Sequence, residues 1–141
     1  MKKFVDKIIN LAYEAYANDD IPVGAVVVKN NKIIGCGYNK RNANNSVIGH
    51  AEIEAIENAC NYVGDWRLDD CEMYVTLLPC MMCTGAIIES RIKKVYYLCE
   101  KTNNCFNNNE YLCLEKINLV DKCDEYLKLL QLFFEKKRNK E

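Results

Sequence analysis

Residues 72–87 read Glu72-Met73-Tyr74-Val75-Thr76-Leu77-Leu78-Pro79-Cys80-Met81-Met82-Cys83-Thr84-Gly85-Ala86-Ile87, a β-branched and aromatic run that meets a proline and then a Cys-x-x-Cys pair. Glu72 to Leu77 has the composition of a strand. Pro79 can open a helix, because a missing N–H costs nothing in the first helical turn. Cys80 and Cys83 then share one face of that helix. The partial positive charge of a helix start lowers a thiol pKa, so both sulfurs are suited to bind a metal as thiolates.

Outward from this stretch, His50 is the only histidine of the chain. Zinc takes N and S donors in a tetrahedron, and a catalytic site keeps three protein ligands and leaves the fourth position to water. His50, Cys80 and Cys83 supply three. Glu52, two residues after His50 at a helix start, can lean over the metal as a proton carrier rather than a ligand. Alone, a Cys-x-x-Cys also fits a redox pair, half of a structural zinc knuckle or plain core packing. A structural site needs a fourth ligand, however, and the chain has no second histidine and no second Cys-x-x-Cys. A redox pair leaves His50-Ala51-Glu52 without a role. The expected cofactor is one catalytic zinc per chain.

The flanking pattern predicts the layers around this centre. Phe4, Val5, Ile8, Ile9, Ala12, Ala15 and Tyr16 recur at helical spacing, giving a helix from about residue 3 to 17 that ends before Pro22. Residues 24–28 and 33–38 read as two strands joined at Lys29-Asn30-Asn31-Lys32, where asparagine tolerates the positive φ of a two-residue hairpin turn. A loop over 39–46 leads to a helix beginning near His50. Residues 94–98 and 111–117 are further strands, 101–109 is an Asn-rich loop, and Val120, Cys123, Leu127, Leu130, Phe133 and Phe134 mark a closing helix. This order describes an α/β chain, a mixed five-stranded sheet with helices on both faces, without repeat or linker, so one domain over 1–141.

The 141 residues are half apolar and 28% charged with a net charge of −1, a globular balance that brings no global pull toward nucleic acid. Lys136, Lys137, Arg138 and Lys140 form a basic tail, and Arg91, Lys93 and Lys94 a smaller cluster; each reads first as solvated surface. No stretch approaches the ~20 apolar residues that cross a bilayer, so a cytoplasmic protein without a membrane partner is expected. Nine cysteines, an odd number, argue against a closed disulfide framework. Cys36, Cys60, Cys71, Cys99, Cys105, Cys113 and Cys123 read mainly as small hydrophobes in a reducing compartment.

His-x-Glu followed by Pro-Cys-x-x-Cys is the pattern of the zinc deaminases. With Ile21 to Val28, Gly37-Tyr38-Asn39, Trp66-Arg67-Leu68, Tyr74 to Leu77, Pro79 to Ile87 and Ser90-Arg91-Ile92, the chain resembles the bacterial tRNA-specific adenosine deaminases of the cytidine deaminase-like superfamily. Phe133-Phe134 with Lys136, Lys137 and Arg138 is similar to the end of those enzymes. The resemblance implies a three-layer α/β/α fold and hydrolytic conversion of adenosine to inosine at the wobble position of a tRNA anticodon. It implies that Glu52 is catalytic, that Asn39 hydrogen-bonds the base, and that the backbone around Ala51 and from Pro79 to Cys80 lines the pocket. It also implies a homodimer whose partner subunit helps to shape the substrate groove.

The chain departs from that family beside the site. Leu78 stands where a glutamate usually precedes Pro-Cys, Ser46-Val47-Ile48-Gly49 replaces Asp-Pro-Thr-Ala, and Leu98 to Asn104 replaces a Gly-Ala-x-Asp segment. None of these touches His50, Glu52, Cys80 or Cys83. They bear on substrate choice, and the second reading is a deaminase of a free nucleobase or nucleoside such as guanine or cytosine. A third is a binding module that keeps the fold without turnover, against which Glu52 counts.

Overall fold

The computed structural model describes residues 1–100 and 110–139. Its elements are α1 (Lys2–Ala17), β1 (Gly24–Lys29), β2 (Lys32–Tyr38), α2 (Arg41–Asn44), α3 (Ala51–Val63), β3 (Cys71–Leu77), α4 (Met81–Glu89), β4 (Lys94–Cys99), β5 (Cys113–Lys116) and α5 (Val120–Asn139). The five strands form one sheet in the order β2-β1-β3-β4-β5. β1 is antiparallel to both β2 and β3, whereas β4 is parallel to β3 and to β5. α1 packs on α5 and α3 on α4, with the sheet between the two pairs. Ala25, Val26 and Val27 of β1 are fully buried, as a strand covered on both faces must be. The mixed sheet with helices on both faces is therefore borne out.

One consequence of this topology builds the site. β2 and β3 are each antiparallel to β1, so they point the same way and end at the same edge of the sheet. The helices that follow them, α3 and α4, begin at that edge, which brings their N-termini together. Gly35 and Gly37 of β2 let α3 lie almost against the strand: a Cβ at Gly37 would meet the Ala51 carbonyl oxygen at 2.2 Å. On the other face, a Cβ at Gly24 would meet the Ile8 carbonyl oxygen of α1 at 2.2 Å.

The hairpin turn follows the expected chemistry, with Asn30 at φ 50° and Asn31 at φ 63°. Three details differ from the sequence expectations. Pro79 does not open α4; Cys80, extended at φ −73° and ψ 177°, is the N-cap, and Pro79 precedes it. The polar stretch after β2 contains a short helix, α2, closed by Asn45 in the left-handed region. Cys99 of β4 and Cys123 of α5 are brought together, with Cα atoms 6.0 Å apart, and are not scattered separately through the core. Sequence spacing could not show this, because α5 returns to the end of β4 only in the fold. Cys36, Cys60, Cys71 and Cys113 are free. The Asn-rich loop 101–109, with Cys105, and Lys140 lie outside the described residues.

Candidate metal centre

His50 and Cys80 occupy the same structural position, the N-cap of a helix. Both are extended, at φ −93° and ψ 151° for His50, and neither caps its own helix with its side chain. The side chains point at each other instead. His50 Nδ1 lies 3.7 Å from Cys80 Sγ and 3.4 Å from Cys83 Sγ. All three donor atoms lie within 4.8 Å of one another. With Zn–S near 2.3 Å and Zn–N near 2.05 Å, a tetrahedral ion sets its S···N neighbours about 3.6 Å apart. The donor set and its spacing fit zinc. His50 is half-buried, Cys83 buried and Cys80 exposed, so the cluster opens to solvent on the Cys80 side.

Without an ion, one of the three donors is already held in its ionised form. Hydrogen bonds from Cys83 and then His50 pull the Cys80 thiol down to about 3. Cys83 is pushed up, by its hydrogen bond to the Cys80 sulfur and then by burial. The hydrogen bond to Cys80 also raises His50. Glu52, only 4% exposed, is pushed up to about 7 by burial; the Cys80 charge adds to this, while a backbone hydrogen bond and His50 oppose it. A carboxyl poised near neutrality beside a nucleophile-activating centre can both take and give a proton.

Asn39, also 4% exposed, stands just beyond β2, and its Oδ1 accepts from Ala51 N–H at 2.8 Å. This closes the first orphan donor of α3 and fixes the amide plane, while Nδ2 donates to no described residue. Ala51 and Pro79 are buried next to His50 and Cys80. The structure thus brings all seven residues singled out in the sequence to one end of the sheet. Sequence reading missed Glu54, one turn after His50, whose carboxylate accepts from Tyr38 N–H at 3.1 Å and pairs with Lys40. It missed Thr84 too, whose Oγ1 is buried without a hydrogen-bond partner among the described residues. Both are ordinary residues at helical spacing, and nothing local marks them.

The closing helix divides its aromatic pair: Phe133 is 3% exposed and belongs to the core, whereas Phe134 is 42% exposed. Of the basic tail, Lys137 Nζ lies 3.0 Å and Lys136 Nζ 3.8 Å from Asp19 carboxylate oxygens. Asp19 sits in the loop before β1, and its carbonyl accepts from Asn42 of α2. The basic end of α5 is therefore held at the same edge of the sheet as the His-Cys-Cys cluster. In the smaller basic cluster, Arg91 lies over Trp66 and Lys94 pairs with Glu115.

Residues 1–138 match the MafB19-like deaminase family. The chain belongs to this deaminase family. It is 39% identical over 137 residues to the tRNA-specific adenosine deaminase of Buchnera aphidicola subsp. Schizaphis graminum, covering 92% of this chain and 91% of that protein. The resemblance read from the sequence is borne out at that level. A solved structure from a study of A-to-I editing by tRNA:A34 deaminases superimposes with a TM-score of 0.76 at 30% identity, covering 82% of this chain and 98% of the other. The guanine deaminase of Bacillus subtilis superimposes with a TM-score of 0.68 at 41% identity, over 72% of this chain and 65% of its own. Among the described residues, no helix of this deaminase is long and apolar enough to cross a membrane.

Proposed function

We propose that this protein is a hydrolytic, zinc-dependent adenosine deaminase that forms inosine at the wobble position of a tRNA anticodon. The observation that carries the chemistry is the convergence of His50, Cys80 and Cys83 within 4.8 Å, with buried Glu52 beside them. Support for the substrate comes from the near full-length likeness to a tRNA-specific adenosine deaminase. The basic end of α5, gathered on the site's side of the sheet, suits the same partner. Residues 1–141 form one zinc deaminase domain in this reading.

His50, Cys80 and Cys83 hold one zinc per chain. Bound zinc supplies the Lewis acidity that lets water act as a nucleophile at neutral pH. Asn39, fixed through Oδ1 by Ala51, offers Nδ2 to the base, and the backbone at Ala51 and from Pro79 to Cys80 shapes the pocket wall. Glu52 takes a proton from the attacking water, passes it to the purine ring nitrogen, and carries a second to the departing amine at C6. One water is consumed and one ammonia released. Val47, Ile48 and Met81, close in sequence to His50 and Cys80, are exposed apolar surface that suits contact with a second copy of the chain. In this reading the enzyme is a homodimer and works in the cytoplasm.

The test is incubation of the zinc-loaded protein with an anticodon stem-loop carrying adenosine at the wobble position, followed by nucleoside analysis for inosine. The 41% identity to a guanine deaminase favours a second reading, deamination of a free nucleobase. Ammonia release from guanine with no inosine in the stem-loop would select it.

A further inference from the structure

Three consecutive residues leave β2, and each is fastened to the approach or first turns of α3. Asn39 Oδ1 accepts from Ala51 N–H at 2.8 Å, and Lys40 N–H donates to the Gly49 carbonyl at 2.7 Å. Tyr38 N–H donates to Glu54 Oε1 at 3.1 Å, and Glu54 Oε2 pairs with the Lys40 ammonium, which lies 4.4 Å from the centre of the Tyr38 ring. One carboxylate therefore grips both chain neighbours of Asn39. Its own N–H donates to the His50 carbonyl at 3.2 Å, so it rises from the helical turn that presents His50. Tyr38, Lys40, His50 and Glu54 line one shared cleft.

We propose that Glu54 is a positioning residue for the deamination: it clamps Tyr38 and Lys40 to α3, so that the Asn39 amide keeps a single placement relative to His50 and Glu52. The proposal rests on the deaminase reading above. A lone exposed ion pair would contribute about 0–1 kcal/mol and little geometry. Glu54 differs because one oxygen is taken by a backbone N–H, which ties the end of a strand, not a mobile side chain, to the helix. Without that acceptor, β2 is still held to α3 at Cys36, whose carbonyl accepts from Asn58 Nδ2 at 2.8 Å, and Asn39 N–H still donates to the Val23 carbonyl at 3.2 Å. Tyr38, however, loses its tie to the helix, and the Asn39 amide that meets the base can drift. Misplacement of about 1 Å can cost about 100-fold in rate even when no reacting group is lost.

The experiment compares Glu54→Ala, Glu54→Met and Glu54→Gln in the zinc-loaded full-length protein. It measures zinc per chain, kcat and KM on the wobble-adenosine stem-loop, and hydrogen exchange at the Ala51 amide, whose partner is Asn39. The alanine and methionine variants are expected to keep their zinc and to lose roughly 10- to 100-fold in kcat/KM. Their Ala51 exchange should accelerate by roughly tenfold. Glutamine, which still offers an acceptor to Tyr38 N–H, is expected to recover most of the loss. Unchanged Ala51 exchange in Glu54→Met overturns the proposal, as do unchanged kinetics with only a lower Tm, or a glutamine variant no better than alanine. If the wild-type protein leaves the stem-loop untouched, the deaminase reading is what fails, and Ala51 exchange alone decides the role of Glu54.

Discussion

Gly37→Ala adds one methyl group at the point where β2 and the start of α3 nearly touch. The new Cβ would lie 2.2 Å from the Ala51 carbonyl oxygen, 2.7 Å from Ala55 N and 2.8 Å from Glu54 Cβ, where real contacts stop near 3.0 Å, so the helix must retreat by about 0.8 Å. Two of those three atoms are backbone, and no rotamer change relieves them. Overpacking of this kind costs typically 1–3 kcal/mol. For a domain of this size that is a fall of roughly 3 to 10 °C in Tm. The retreat carries His50, Ala51 and Glu52 away from Asn39 and from the α4 cysteines, and a shift near 1 Å can cost about 100-fold in rate. We expect kcat/KM for the wobble stem-loop to fall by roughly 10- to 100-fold, with weaker zinc retention against a chelator. The control is Gly85→Ala, on an exposed part of α4 where an added Cβ meets nothing within 4 Å. It should stabilise by roughly 0.5–1 kcal/mol through helix propensity. Calorimetry, metal analysis and steady-state rates on both variants decide the matter. A Gly37→Ala protein as stable and active as Gly85→Ala would refute the claim that this contact sets the site.

Glu52→Gln should abolish turnover and yet stabilise the metal-free protein at neutral pH. The buried carboxyl binds its proton more tightly when folded, with a pKa raised from 4.5 to about 7. Its stabilising contribution is thus complete below 4.5 and lost as pH rises through 7, by about 3 kcal/mol at about 1.4 kcal/mol per pH unit. Denaturant titrations of metal-free wild type and variant should coincide near pH 4.5 and diverge by that amount above pH 7; parallel curves would show that Glu52 is not buried as described. Cys80→Ser replaces a soft thiolate by a hydroxyl, so zinc content and activity should fall together, and full metal occupancy would mean the ligands are misassigned. Tyr126→Phe removes the hydroxyl that donates to the Pro22 carbonyl at 2.6 Å, leaving a buried acceptor unpaired. Thermal unfolding should register a loss of about 1–3 kcal/mol, and an unchanged Tm would place that carbonyl in contact with water.

Chemistry that depends on residue type was legible without coordinates. A single histidine, one Cys-x-x-Cys and a glutamate two residues after the histidine determined the donor set, because zinc's preference for N and S is a property of the atoms and not of the fold. Apolar periodicity placed the strands and main helices, and the paired asparagines of the hairpin turn announced their positive φ angles. The sequence could not decide distance between segments. That β2 and β3 end at one edge follows from strand pairing with β1, a relation among segments far apart in the chain. The same is true of the approach of Cys99 to Cys123, the clamp from Glu54 to the neighbours of Asn39, and the anchoring of Lys136 and Lys137 on Asp19. Even the capping role of Cys80 required the fold, since Pro79 is compatible with the first helical turn or the residue before it. Only packing decided, because only packing brings the start of α4 beside the histidine at the start of α3.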